Sequence, residues 1–61
     1  MPSDETRHLL RAFGVAVTAY EDAVQGKSSS EEIRTAERLV RARLDEVTAL
    51  LDRLREAAAQ S

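Results

Sequence analysis

The sequence has no cysteine or tryptophan, one proline and two glycines. Without cysteine, neither a disulfide nor a thiolate metal site can supplement a small core. Ordering the 61 residues costs on the order of 90 kcal/mol, which requires roughly 3,600 Å² of apolar burial at ~25 cal/mol/Å². A single contact between two helices offers less than that. We therefore expect a core that is completed by a partner.

Long apolar runs and an excess of one charge are also absent. Nine basic residues stand against eleven acidic ones, for a net charge of −2, which disfavours nucleic acid and anionic lipid as partners. No apolar run approaches the roughly 20 residues of a membrane span, and the charged start "MPSDETRH" is unlike a signal peptide. We predict a cytoplasmic protein with no membrane partner. Eight arginines against one lysine favour a bacterial or phage source.

Residues typical of catalysis or cofactor binding are scarce. His8 is the only histidine, and with Asp4 and Glu5 nearby it does not complete a metal coordination shell. The letters "GKSS" lack the strand and the first glycine of a phosphate-binding loop. Phe13 and Tyr20, the only aromatic residues, have the spacing of core positions in a helix. We predict no enzymatic activity, no metal and no cofactor.

The helix-capping signals divide the chain into two helices. Ser3 precedes two acidic residues, as an N-cap does. Gly26 can take the left-handed position that ends a helix. Ser29 with Glu32, or the equivalent pair one residue earlier, fits a capping box. We predict one domain over residues 1–61, with helix 1 at about 4–25, a turn at 26–28 and helix 2 at about 29–59.

Helix 1 carries two adjacent apolar stripes. The first follows the spacing of three and four residues that is typical of a coiled coil, at Leu10, Phe13, Val17, Tyr20 and Val24. The second lies one residue earlier and consists mostly of alanine, at Leu9, Ala12, Ala16, Ala19 and Ala23. Together they cover about half the circumference of the helix. One neighbouring helix cannot cover both stripes.

Helix 2 carries one long apolar stripe, and a short turn makes the two helices antiparallel. We expect the first stripe of helix 1 to pack against this stripe of helix 2. Helix 2 then extends past helix 1 by about 12 Å, and apolar residues on that extension need a cover. The stripe consists of Ile33, Ala36, Val40, Leu44, Val47, Leu51, Leu54 and Ala58, with Leu39 and Leu50 beside it.

Arg43 stands where the apolar spacing of helix 2 calls for a leucine. The antiparallel alignment places it level with Gly14, and a glycine inside a helix costs roughly 1 kcal/mol relative to alanine. One interpretation is that Gly14 makes room for Arg43, which fixes the register between chains by pairing with Glu46, Glu21 or an acid of a second chain. The other is an arginine at the edge of the stripe, with its stem packed and its guanidinium in water.

Two resemblances bear on function. The segment "RARLDEVTALLDRL" resembles the first helix of the helical chorismate mutases, but Thr48 replaces an acid of their pattern and the pair Leu50 and Leu51 comes one residue early. The hairpin is similar in length and topology to the Rop-like RNA-binding proteins, which are dimeric four-helix bundles. That resemblance implies an alternative function, a dimeric nucleic-acid-binding regulator, which would use Arg34, Arg38, Arg41 and Arg55.

These patterns together predict an all-α protein, an antiparallel two-helix hairpin. We expect dimerisation, or packing on a partner protein, to complete a four-helix bundle. The predicted function is protein–protein interaction through helix packing, as an adaptor, a regulator or inhibitor, or a minor subunit of a larger assembly. The expected partners are a second copy of the chain, a larger protein, or both. The predicted interface comprises Leu10, Phe13, Ala16, Val17, Tyr20, Ala23, Arg43, Leu50, Leu51 and Leu54.

Overall fold

Two α-helices make up the hairpin. The computed structural model describes residues 3–60, in which α1 spans Asp4–Gln25 and α2 spans Ser30–Gln60. An ion pair between Glu5 and Arg53 joins the start of α1 to the second half of α2, so the helices are antiparallel. The Cα atoms extend over 49 × 18 × 12 Å. The predicted all-α fold of two packed helices is confirmed.

Both helices begin at side-chain caps. The Oγ of Ser3 accepts a hydrogen bond from the backbone N–H of Thr6 at 3.1 Å. At α2, the backbone N–H of Glu32 donates to Ser29 Oγ, and the backbone N–H of Ser29 donates to Glu32 Oε1, each at 3.2 Å. This reciprocal pair is a capping box, and it satisfies N–H groups that have no partner inside the helix. Of the two capping boxes that the sequence allowed, the later one forms.

The end of α1 differs from the prediction in one residue. Gly26 has φ −81°, and the left-handed conformation falls on Lys27, with φ 60°. The backbone N–H of Ser28 donates to the carbonyl of Ala23 at 3.1 Å, which is the bond that closes a Schellman motif with Lys27 at the left-handed position. The prediction that Gly26 takes that position is wrong, because the helical turn continues for one residue more.

The contact between the helices, here called the seam, runs along buried and partly exposed residues of each helix. On α1 these are Leu9, Phe13, Ala16, Tyr20 and Ala23, and on α2 they are Ile33, Ala36, Val40, Arg43, Val47 and Leu50. Both sets follow the three-and-four spacing of a coiled coil. Of residues 3–60, only Ala16 at 2% exposed and Leu50 at 6% are buried. The hairpin therefore has a thin core.

The seam of α1 corrects the prediction from the sequence. Leu10, Val17 and Val24 were expected to pack against α2, but they remain 53%, 40% and 49% exposed. Each follows a seam residue by one position, which turns its side chain about 100° away from the seam. The smaller residues Ala16 and Ala23 take their place, and alanine lets the backbone of α2 come closer than valine or leucine would.

Candidate interaction surface

One side of the hairpin, here called the apolar flank, is formed by Leu10, Val17 and Val24 of α1 with Leu44 and Leu51 of α2. Each of the five follows a seam residue by one position. In an antiparallel pair, residues turned in the same sense from the seam lie on the same side of the hairpin. All five are between 40% and 57% exposed. The flank is thus an elongated apolar surface built from both helices.

Past Leu50, the spacing of the seam continues toward the end of α2. Leu54 lies near the height at which α1 begins and is 54% exposed. At the other end, Glu37 holds a position equivalent to Leu44 and accepts a hydrogen bond from Arg41 at 2.9 Å. The apolar surface therefore stops at an ion pair on one helix, close to the turn.

The opposite side, here called the polar flank, is formed by residues that precede seam positions, together with Glu5 and Arg53, which hold the equivalent places where the spacing of the seam continues to Thr6 and Leu54. They are Glu5, Ala12 and Ala19 of α1, with Glu32, Leu39, Glu46 and Arg53 of α2. Glu5 and Arg53 form an ion pair across the helices at 3.0 Å. Long charged side chains of this kind cover apolar surface with their stems while their charges stay in water. The polar flank is thereby covered in part by the chain itself.

Arg43 occupies a seam position and turns toward the polar flank. Its Nη1 donates to Glu46 Oε1 at 2.8 Å, and its side chain is 39% exposed. It lines a recess together with Ala12, Ala16 and Leu39. The small alanines leave space for the arginine stem at a height where a larger residue would fill it. Of the counter-charges considered from the sequence, the one on its own helix, Glu46, is the one observed.

Gly14 does not make room for Arg43, so that interpretation is wrong. A Cβ atom built on Gly14 would meet no heavy atom within 4 Å, and the residue is exposed. It lies on the outer side of α1, well away from the seam. Arg43 therefore matches the second interpretation, with a packed stem and a guanidinium at the surface.

The residues predicted for the interface fall into two groups. Six lie in the seam between α1 and α2, namely Phe13, Ala16, Tyr20, Ala23, Arg43 and Leu50. Leu10, Val17 and Leu51 lie on the apolar flank, and Leu54 continues the spacing of the seam near the start of α1, where it stays exposed. The prediction left out Val24 and Leu44, which it assigned to the contact between helices. Their spacing of seven from Val17 and Leu51 was the signal that they share the same side.

Several charges on the outer surface are paired locally. Arg7 bonds Asp4 at 3.0 Å and Arg55 bonds Asp52 at 2.8 Å, each within one helical turn. No cluster of acidic, histidine or cysteine side chains suited to a metal ion occurs within residues 3–60. A shallow recess beside Leu39 is rimmed by charges of both signs. None of these features forms a basic platform for phosphate groups.

The surface area of the hairpin is large for its mass. The chain of 6.8 kDa exposes 5038 Å², whereas a compact folded monomer of this mass exposes about 4,000 Å². The excess of about 1,000 Å² is similar to the roughly 800 Å² that each partner buries in a standard protein interface. A partner on one side of the hairpin would therefore restore an ordinary ratio of surface to mass.

Comparison with protein-family models finds no matching family, and comparisons with curated proteins and with solved structures find no similar chain. Neither helix within residues 3–60 combines the length and apolar character needed to cross a lipid bilayer. Inferences about function therefore depend on the surface of the hairpin.

Proposed function

We propose that the hairpin is a protein-interaction module whose apolar flank packs against helices of a protein partner and so completes a four-helix bundle. The observation that carries this proposal is the exposure, between 40% and 57%, of five large apolar side chains along one side. Soluble proteins that act alone rarely leave a contiguous apolar surface of this kind in water. An adaptor, a regulator or inhibitor, and a minor subunit of a larger assembly would all use such a surface.

The mechanism is burial of apolar area, without a catalytic step. Leucine and valine at heptad spacing fit between the side chains of a partner helix, as in other helix-packing interfaces. Burying each such side chain fully contributes roughly 1.5–3 kcal/mol. We place this interaction in the cytoplasm.

A protein partner is favoured over nucleic acid by the charges of the hairpin. Binding to phosphate groups requires arginines that can release their counterions. Arg41 and Arg55, two of the arginines that a Rop-like regulator would use, bond Glu37 and Asp52. The net charge of −2 adds a weak repulsion.

Site-specific photo-crosslinking in cells of the native host tests this function. A photoreactive phenylalanine analogue replaces Val17 on the apolar flank, and the matched control replaces Thr18, which is exposed and turned away from the seam. We expect a discrete protein adduct from position 17, to the same chain or to another protein, and little from position 18. Equal yields from the two positions, or adducts to nucleic acid alone, contradict the proposal.

A further inference from the structure

Gly14 is a costly residue that the hairpin itself does not require. Glycine inside a helix is less favourable than alanine by roughly 1 kcal/mol. Nothing lies within 4 Å of the place where its Cβ would be, so the fold of a single chain gives no reason for it. The residue sits beside the apolar flank, between Leu10 and Val17. A bare backbone at this place suits the close approach of another chain.

We propose that the occupant of the apolar flank is a second copy of this chain, related by a two-fold axis that crosses α1 at Gly14. The axis runs perpendicular to the helices, so the turns of the two copies point in opposite directions. This inference rests on the proposed function and specifies the partner of the same surface. In such an isologous contact, each residue pairing occurs twice.

The charges beside the apolar flank are self-complementary about Gly14. Arg7, which bonds Asp4 within its own helix, and Glu21 lie the same number of residues before and after Gly14, on the same edge of α1. A two-fold rotation at Gly14 therefore brings Arg7 of each copy to the height of Glu21 of the other. The opposite charges are complementary at both ends of the contact, and such complementarity fixes register more than it adds affinity.

The apolar residues follow the same symmetry. Gly14 and Leu44 lie at one height, because each is the same distance along its helix from the ion pair of Glu5 with Arg53. Leu44 thus lies at the height of the axis, about one helix spacing (8–10 Å) to its side, where it faces α1 of the second copy near Gly14. Leu10 falls near the height of Val17 of the second copy, and the reverse contact is identical. The exposed apolar residues at the centre of the flank thereby find apolar neighbours.

The area of the hairpin is sufficient for this dimer. The solvent-accessible surface of each copy is 5038 Å², which is about 1,000 Å² more than that of a compact monomer of its mass. A pair of copies that buried this excess would reach the standard interface size of about 1,600 Å² in total. No further protein is then needed to cover the apolar flank.

Sedimentation equilibrium of the full chain tests whether the two copies are in contact at Gly14. The wild type is expected at twice its mass of 6.8 kDa. The side chain of Gly14→Leu has free space in a single chain but overfills the contact between the two α1 helices at the axis. The dissociation constant of the dimer should therefore rise roughly ten- to hundredfold. Ala42→Leu, the matched control on the outer side of α2, should leave the constant unchanged. Circular dichroism should show undiminished helix in both variants.

Exchanging the charges at positions 7 and 21 tests whether the α1 helices of the two copies run in opposite directions. Arg7→Glu alone and Glu21→Arg alone each place like charges opposite each other, and each should weaken the dimer roughly three- to tenfold. An equimolar mixture of the two variants should form a mixed dimer of wild-type affinity, because its pairs are again of opposite charge. Native mass spectrometry resolves the mixed dimer from the parent chains.

Three results overturn the inference: a wild-type monomer, a dimer that tolerates Gly14→Leu, or a mixture that shows no preference for the mixed dimer. These results differ from failure of the proposed function. If the chain is a monomer and position 17 crosslinks to another protein in cells, the dimer is excluded but the proposed protein-interaction function stands. A chain that crosslinks equally from positions 17 and 18 removes the interaction module itself.

Discussion

The two flanks of the hairpin border the same seam and differ in how they are covered. The polar flank carries an ion pair between the helices, Glu5 with Arg53, and a second pair, Arg43 with Glu46. The apolar flank has leucine and valine at the corresponding positions, from Leu10 to Leu51. Charged side chains can serve a surface exposed to water, whereas a row of apolar ones is best accommodated by another apolar surface. The difference supports the proposal that a partner covers the apolar flank.

Exposure of single residues would not have revealed this difference. Leu39 on the polar flank is 44% exposed and Leu44 on the apolar flank is 48% exposed. Leu39, however, has charged and small residues around it, and an isolated exposed leucine is common in soluble proteins. Leu44 belongs to a row that includes Leu51 and Val17. The arrangement of apolar residues along a side distinguishes the two flanks, and their individual exposure does not.

The largest effect is expected from a charge on the apolar flank. Leu44→Glu places a carboxylate of each copy against α1 of the other and removes apolar burial from both copies, so we expect association to weaken by about 3 kcal/mol or more. Leu39→Glu is the matched variant on the polar flank and should weaken association by less than about 0.5 kcal/mol. Sedimentation equilibrium measures both values. Similar losses in the two variants would show that the flanks are equivalent.

A smaller effect is expected within the seam, which both flanks share. Ala16 is 2% exposed, so Ala16→Leu overfills the contact between helices and should lower the free energy of unfolding by about 1–3 kcal/mol. Ala42 is exposed on the outer side of α2, so Ala42→Leu should change the free energy of unfolding by less than about 0.5 kcal/mol. Urea denaturation followed by circular dichroism gives both numbers. A tolerated leucine at position 16 would place the seam elsewhere.

Arg43→Leu should make the polar flank resemble the apolar one. The substitution replaces a half-exposed charge at a seam position with an apolar group, so we expect the free energy of unfolding to stay unchanged or to rise by about 1 kcal/mol. Glu46 is left without its partner but is 42% exposed in its side chain, so water can solvate it. Loss of the charge should also permit association through the polar flank, and sedimentation should detect species larger than a dimer. A clear loss of stability would instead assign a structural role to the ion pair.

The smallest effect is expected from the ion pair on the polar flank. The side chains of Arg53 and Glu5 are 54% and 60% exposed, so Glu5→Gln should lower the free energy of unfolding by less than about 1 kcal/mol. The loss should shrink further at high salt, because salt screens exposed charges. Thermal denaturation at two salt concentrations measures it. A loss of more than about 1 kcal/mol in the free energy of unfolding that does not depend on salt would mean that the polar flank contributes to stability as strongly as the seam.

The two helices could be predicted because their signals are local. Ser3 caps α1, and Ser29 with Glu32 caps α2, through bonds that span only three residues. Between these ends lies a run of helix-forming residues with a clear apolar period. The prediction of two packed helices followed from these features alone, and it is confirmed.

The side of α1 that faces α2 could not be predicted, because two stripes lie one residue apart. Leu10 and Val17 were assigned to the seam because their stripe has the three-and-four spacing of a coiled coil, but the alanine stripe has the same spacing. The seam instead uses Ala16, at a place where Arg43 of α2 needs space. Which stripe faces α2 therefore depends on a contact between residues that are distant in the sequence. The apolar spacing within a single helix gives no information about such a contact.

Thermal unfolding of the wild type over a wide range of protein concentration tests most directly whether another copy covers the apolar flank. Binding to a folded partner stabilises the folded state by mass action, so the melting temperature of a dimer rises with concentration. We predict such a rise, together with a sedimentation mass of twice 6.8 kDa. A strongly helical chain that sediments as a monomer and melts at one temperature at every concentration would contradict the account.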